Sequence, residues 1–225
     1  VWNVCGEYTW CLPAHLGTGE VGQVNGNIDL FAAETVHMLA EIVTIHAERL
    51  DRLVIERIRF EAERRIFIPL YREQRKFHWQ TADHNWSAVC GGCCGMAALL
   101  LLEDESTLQE SISHTVSCMN AFLSGYGEDG GCAEGIGYWV YGFGYFTYYA
   151  EMLRQYSEGE LDLLTGSKNN SYRSLPAASS SVRRNIRELF GQCRAGRHSF
   201  RTTLSARVPG WVAGGSAASY STPYR

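Results

Sequence analysis

An all-α fold is what the sequence predicts, on three observations. Up to residue 160 apolar residues recur at helical spacing, and no stretch shows the alternation of a convincing strand. The punctuation between those stretches is short, so successive helices are expected as antiparallel neighbours. The hydrophobic fraction of 45% and aromatic fraction of 12% are those of a globular chain with a core. About six or seven helices are expected before residue 160, and a tail of different character after Gly166. This local pattern suits both a generic helical bundle and a toroid of helical hairpins.

The elements follow in order. Residues 1–16 (VWNVCGEYTWCLPAHL) carry Trp2, Cys5, Trp10 and Cys11, a buried, helix-like segment stopped near Pro13. Glycines from Gly17 to Gly26 mark a loop. Asn27 or Asp29 can cap the next helix, expected from about Ile28 to His46, with Leu30, Phe31, Val36, Met38, Leu39, Ile42, Val43 and Ile45 as its apolar face. Another helix is expected from Arg49 to Leu70, stopped at Pro69, with Leu50, Leu53, Val54, Ile58, Ile66 and Ile68 inside. Its outer face carries Arg52, Glu56, Arg59, Glu63 and Arg64, spaced for i,i+4 pairs. A polar, aromatic linker (71–87) leads to a helix over 88–102, whose small residues predict close packing on a neighbour. A helix over 107–124 ends at Gly125, and the loop 125–137 precedes a last helix reaching Tyr156.

That last helix lies in the most unusual stretch, DGGCAEGIGYWVYGFGYFTYY (129–149). Tyr138, Tyr141, Tyr145 and Tyr148 or Tyr149 stand three or four residues apart, a stripe of phenols on one face. Glycines at 135, 137, 142 and 144 admit backbone or a flat ligand. The stripe reads as a packing face or as a site.

Composition narrows the classes. No run of eighteen apolar residues exists, so no membrane span is expected. The chain starts at Val1 without a methionine or a signal-like segment, which reads as a fragment. Eight cysteines are present. Cys90, Cys93 and Cys94 lie in CGGCCGMAALLLL without a second ligand pair at zinc spacing, so packed, reduced thiols are expected, and with them a reducing, cytoplasmic setting. Residues 1–167 carry 10 Lys+Arg and 23 Asp+Glu, whereas 168–225 carry 10 Lys+Arg and one acid, Glu188.

Five stretches together resemble the helical domain of the heparinase II/III family of polysaccharide lyases. They are EYTWCLPAHL (7–16), IDLFAAET (28–35), ERRIFIP (63–69), HNWSAVCGGCCGMAALLL (84–101) and DGGCAEGIGYWVYGFGYF (129–146). The last two are the specific ones, with Asn85 and Tyr138 lying 53 residues apart. The resemblance implies a helical domain over 1–166 folded as an incomplete α/α toroid of antiparallel hairpins. It also implies a following β-sandwich, an active site between the two, and an acidic polysaccharide or oligosaccharide as substrate, cleaved by β-elimination at a uronic acid. In that family the β-sandwich carries another catalytic histidine and, often, metal or arginine sites; for the present chain no cofactor and no metal are expected.

The chemistry explains the residue types. β-Elimination takes the proton from C5 of the uronate while the oxygen on C4 leaves, and the proton is acidic only when the carboxylate is neutralised. The resemblance gives Asn85 that neutralising role, since a side-chain amide can hydrogen-bond the carboxylate as it gains enolate character. It gives Tyr138, in GYWVY, protonation of the leaving group and in some cases proton abstraction. As an acid an ordinary phenol of pKa about 10 suffices, whereas a base needs nearby positive charge. Tyr141, one turn on, is expected to bind sugar. Each role has a structural alternative. Asn85 is also well placed to cap the helix of 86–102. Trp86 and Trp139 are expected to stack on sugar rings or pack in the core. Glu134 is expected to hold the loop or cap the tyrosine helix, and His15 to line the cleft. In some relatives a histidine follows the asparagine; here Trp86 follows and His84 precedes, so His84 is the candidate sugar or carboxylate ligand. Arg64 and Arg65 are expected to be structural rather than ligands for substrate carboxylates.

Residues 167–225 depart from the family. They are basic and rich in Ser, Arg, Ala and Gly, with stretches such as GGSAASYSTPYR that read as disordered. The abrupt flip in charge, coinciding with the end of the resemblance, points to a shift of reading frame near Thr165–Leu175. On that expectation the β-sandwich is absent, His198 is not its catalytic histidine, and the fragment is inactive. A non-catalytic carbohydrate-binding helical domain is the alternative function. The arginines lack aromatic interleaving at groove spacing, so a nucleic-acid partner is not favoured. Nothing in the pattern speaks to oligomeric state.

Overall fold

A computed structural model describes residues 1–16, 26–127 and 129–164. The expectations for 167–225, and most of the loop beginning at Gly17, lie outside the described residues. The described chain is all-α. Helix α1 spans Trp2–Gly6, α2 Leu30–His46, α3 Arg52–Ala62, α4 Asn85–Leu101, α5 Glu105–Ser124 and α6 Ile136–Tyr156. Among the described residues no strand forms, and Tyr126 and Cys132 make an isolated antiparallel bridge.

Three helices begin on an aspartate whose carboxylate takes a backbone N–H. Asp29 accepts from Ala32 N at 2.8 Å, Asp51 from Leu53 N at 2.8 Å and Asp104 from Thr107 N at 2.8 Å. Each cap contributes about 1 kcal/mol. Of the two caps expected for α2, Asp29 is the one used.

Helix α4 is the axis of the core and packs against α2, α5 and α6. Nearly every residue from Asn85 to Leu101 is buried, which an amphipathic pattern could not produce and an all-apolar, small-residue pattern does. Gly95 shows why small residues are needed. A Cβ there would meet Thr115 Oγ1 of α5 at 2.5 Å and the Tyr149 ring of α6 at 2.8 Å. Around this axis Val36 and Leu39 of α2, Met96 of α4, Val116 and Met119 of α5 and Leu153 of α6 are buried. Each contributes about 1.5–3 kcal/mol by leaving water. Cys90, Cys93 and Cys94 are buried on α4, and burial pushes all three thiols up.

The helix expected over Arg49–Leu70 differs in two ways. It starts at Arg52 behind the Asp51 cap, and at Glu63 it widens into a π-helix that runs through Pro69 to Arg72. Proline at 69 has no N–H for an i→i−4 bond. The wider register continues past it, with Glu73 N donating to Ile68 O at 2.9 Å. The expected inner face is corrected too. Ile58 and Ile66 are buried, but Leu53 is 61% exposed. The outer face pairs as expected, Arg52 Nε lying 2.7 Å from Glu56 Oε1.

The boundary between α3 and the π-helix holds a buried carboxylate. Glu61 faces Arg57 at 2.9 Å, Arg64 at 2.7 Å and Arg65 at 2.6 Å. Arg65 also donates to the carbonyls of Glu7 at 2.6 Å and Tyr8 at 3.3 Å, and its guanidinium lies 4.9 Å over the Trp10 ring. Arg65 thus ties the N-terminal segment to the end of α3, while Arg64 pairs with Glu61.

Candidate functional site

The first turn of α4 gathers most of the residues picked out from the sequence. The cap is His84, not Asn85: its Nδ1 accepts from Trp86 N at 3.5 Å. Asn85 is the first helical residue, 3% exposed. Its backbone N–H donates to Glu134 Oε2 at 2.8 Å, and its Nδ2 donates to Glu134 Oε1 at 2.5 Å. The carboxylate thus bridges two donors of one residue. Asn85 Oδ1 is buried without a hydrogen-bond partner. Glu134 holds its loop as expected, through Asn85. The expected capping of the tyrosine helix does not occur: Gly135 holds the cap position of α6 and no side chain caps it.

Trp86, next along, packs against two histidines, His15 with ring centroids 5.0 Å apart and His78 at 5.1 Å. His15 is fixed from behind, its Nδ1 lying 2.6 Å from Asp29 Oδ2. Asp29 takes the Leu12 N–H on the same oxygen at 3.0 Å. One carboxylate therefore caps α2 and orients His15.

Helix α6 meets α4 at Gly142. A Cβ there would sit 3.0 Å from Asn85 Cβ and 3.1 Å from Asn85 Cα. Only glycine permits this approach, which sets Asn85 against the tyrosine helix. Tyr138 lies four residues earlier, about 6 Å back along the axis on the same face. Its side chain is 57% exposed. Tyr141 and Tyr145 both donate to Glu34 Oε1 of α2, at 2.9 and 2.7 Å. Burial, with the Glu34 carboxylate adding to it, pushes both phenols above the ordinary tyrosine range. They stay protonated and act as donors. Tyr149, the end of the stripe, is fully buried in the core.

Trp139 is half-buried on a different surface of α6. Its ring stacks on Phe143 at 4.9 Å and its Nε1 donates to Gly130 O at 2.9 Å. It pins the glycine-rich loop. The structure thus joins Asn85 to Glu134, His84 to the Trp86 N–H, and His15 to Trp86. Tyr141 is tied to Glu34 instead, and Trp139 to the loop.

Two residues of the site were missed in the sequence. Glu34 lies inside the quoted IDLFAAET, and its signal was an acid one residue from a buried face of α2. His78 lies in the polar, aromatic linker, where the sequence pattern gave it no role. Among the described residues no three His, Cys, Asp or Glu side chains are grouped to hold a metal ion, and no helix is long and apolar enough to cross a membrane.

No known family model matches this chain, and no curated protein matches it.

Proposed function

We propose that the chain is the helical half of a polysaccharide lyase that cleaves acidic, uronic-acid-containing polysaccharide or oligosaccharide by β-elimination. The observation carrying this reading is the Gly142 contact, which sets Asn85 within about one helical turn of the exposed Tyr138. On this reading the helices pair as the antiparallel hairpins of an incomplete α/α toroid. The cleft is completed by a second, β-sandwich domain, and the helical half alone turns over little or no substrate.

On this reading the roles are as follows. The uronate carboxylate takes hydrogen bonds from the first turn of α4, where a side-chain amide and a helix N-terminus add favourable partial charge. Neutralising that carboxylate acidifies the C5 proton. A base on the second domain takes the C5 proton, the electron pair of that C–H bond forms the C4–C5 double bond, the C4–O bond breaks, and the departing oxygen takes the Tyr138 phenolic proton. Tyr141 is a donor held by Glu34 and suits sugar binding rather than proton abstraction. Trp86, backed by His15 and His78, offers a ring edge at the same turn. No cofactor enters this chemistry.

The test is elimination itself. The chain joined to its second domain, given polyuronates, is expected to generate the ultraviolet absorbance of an unsaturated uronate, and Tyr138→Phe to abolish it. Oligosaccharide binding without that absorbance would favour the second reading, a non-catalytic carbohydrate-binding domain. One observation speaks for that alternative: the Asn85 amide is already engaged by Glu134 in a residue 3% exposed.

A further inference from the structure

We infer that Glu134 is a built-in occupant of the seat for a sugar-acid carboxylate, so that ligand binds at Asn85 by displacing it. The seat is independent of the lyase reading; only its use in turnover rests on that reading.

The argument starts from the donors. The backbone N–H and Nδ2–H of Asn85 converge on the two oxygens of one carboxylate, at 2.8 and 2.5 Å. This two-point grip at the start of a 17-residue helix suits any carboxylate that can reach it. Glu134 leaves the grip incomplete. Asn85 Oδ1 is buried and accepts nothing, and a buried acceptor without a donor is costly. An ionised carboxylate has no proton to give it. A sugar acid carries a carboxylate and, on the neighbouring carbons, hydroxyls that donate. It satisfies the two donors and the orphaned acceptor together.

The loop carrying Glu134 is built to release it. Gly130 and Gly135 both sit at positive φ, 76° and 85°, and a Cβ on either would meet nothing within 4 Å. The two glycines give the segment between them a hinge at each end. The Tyr126–Cys132 bridge, Gly131 O accepting from Gly127 N at 2.9 Å and Trp139 Nε1 on Gly130 O anchor its first part, so the swing is confined to residues 133–135. Charge points the same way. Glu134 is held by uncharged donors, so a second carboxylate beside it would meet an uncompensated like charge. An acidic ligand must replace Glu134 rather than join it.

The consequence is an affinity penalty that substitution removes. If the open seat is populated at about 10% or less, apparent affinity falls by that fraction, and emptying the seat restores it. The experiment titrates the full chain and its Glu134→Gln and Glu134→Ala variants with sodium glucuronate, sodium acetate and glucose, reading Kd by calorimetry and the thermal midpoint. Both variants are expected to bind glucuronate at least about tenfold more tightly than the parent. Acetate is expected to bind them more weakly than glucuronate, and glucose not at all. Glu134→Gln keeps the shape and one acceptor, so it carries the comparison if the alanine variant does not fold. Glucuronate binding that is unchanged or weakened in the variants overturns the proposal. Acetate binding equal to glucuronate overturns its sugar-acid part. Tighter glucuronate binding, with no unsaturated product from any polyuronate, upholds the seat while removing the lyase reading.

Discussion

Two regions of this molecule hold carboxylates on hydrogen-bond donors, and they hold them differently. At the end of α3, Glu61 is neutralised by three guanidiniums within 2.9 Å. At the seams of α6 with α2 and α4, Glu34 takes two phenols and Glu134 takes an amide and a backbone N–H. No cation faces either of these two within salt-bridge distance among the described residues. The first arrangement is closed: charge, geometry and chain segments lock one another. The second rests on uncharged donors, with no cation among the described residues to neutralise it. A structural carboxylate and a site carboxylate are distinguished here by the charge of their donors, not by burial alone.

The largest expected effect breaks the closed region. Arg65→Ala removes one guanidinium from Glu61 and two donors from the carbonyls of Glu7 and Tyr8. Glu61 keeps Arg57 and Arg64, but it loses its most buried partner and the two carbonyls lose their donors, at about 1–3 kcal/mol for each unpaired group, so a loss of about 3–5 kcal/mol is expected in urea unfolding. Glu134→Ala, at the open seam, is expected to lose about 1–3 kcal/mol, the cost of unpaired donors. Equal losses would erase the distinction.

Acid separates the regions further. Burial pushes the Glu61 carboxyl up, but the Arg65 and Arg64 guanidiniums outweigh it and hold it below the ordinary range. A lowered folded value gives stability that is complete above the unfolded value of about 4.3 and is lost as pH falls through the folded one. His114 acts earlier. Burial first, and Lys76 second, lower it to about 4. Its Nε2 accepts from Gln80 Nε2 at 2.9 Å, a bond the imidazolium cannot accept. Its contribution therefore declines as pH falls from about 6.5 to about 4. Burial lowers His37 to about 4 as well, so the two histidines share the first stage. Thermal midpoints from pH 8 to 3 are expected to drop in two stages, and His114→Gln to reduce only the first. A single drop below pH 4 would show that neither histidine is held neutral.

A smaller effect sharpens the open region. Glu34→Ala leaves Tyr141 and Tyr145 without their acceptor, an expected loss of about 1–3 kcal/mol. The same change removes a charge that helps hold both phenols protonated. Alkaline titration followed by tyrosinate absorbance is expected to shift downward in the variant. An unmoved titration would mean that burial alone sets it.

These contrasts also show how much the sequence disclosed. The all-α fold, the Asp29 cap of α2, the end of α5 at Gly125 and the close packing of α4 were legible, because each depends on neighbours in sequence or on residue size. Glycines and cysteines at 90–95 could only mean close approach, and Gly95 confirms it against Thr115 and Tyr149. The break of α3 was not legible, since Pro69 marks a disturbance without saying whether the helix ends or widens. Nor was the division of the tyrosine stripe. Tyr138, Tyr141 and Tyr149 share a spacing, yet one is exposed, one binds Glu34 and one is core. That outcome depends on partners up to 107 residues away, which periodicity does not encode.

The smallest effect on stability belongs to the residue with the largest proposed role. Tyr138 is 57% exposed, so Tyr138→Phe removes a hydroxyl that water already solvates. Its unfolding free energy is expected to stay within about 0.5 kcal/mol of the parent. Tyr149→Phe makes the matched control, the same deletion on the same helix in a fully buried setting. If the phenol of Tyr138 protonates the leaving oxygen, the exposed substitution abolishes elimination while leaving the fold intact. The buried one is expected to leave turnover in place once stability is restored by temperature. Loss of stability at Tyr138 would assign it to the core with Tyr149 and return the whole stripe to packing. Retained elimination in Tyr138→Phe would move the proton donor to another group at the first turn of α4, with His84 and His15 the next to substitute.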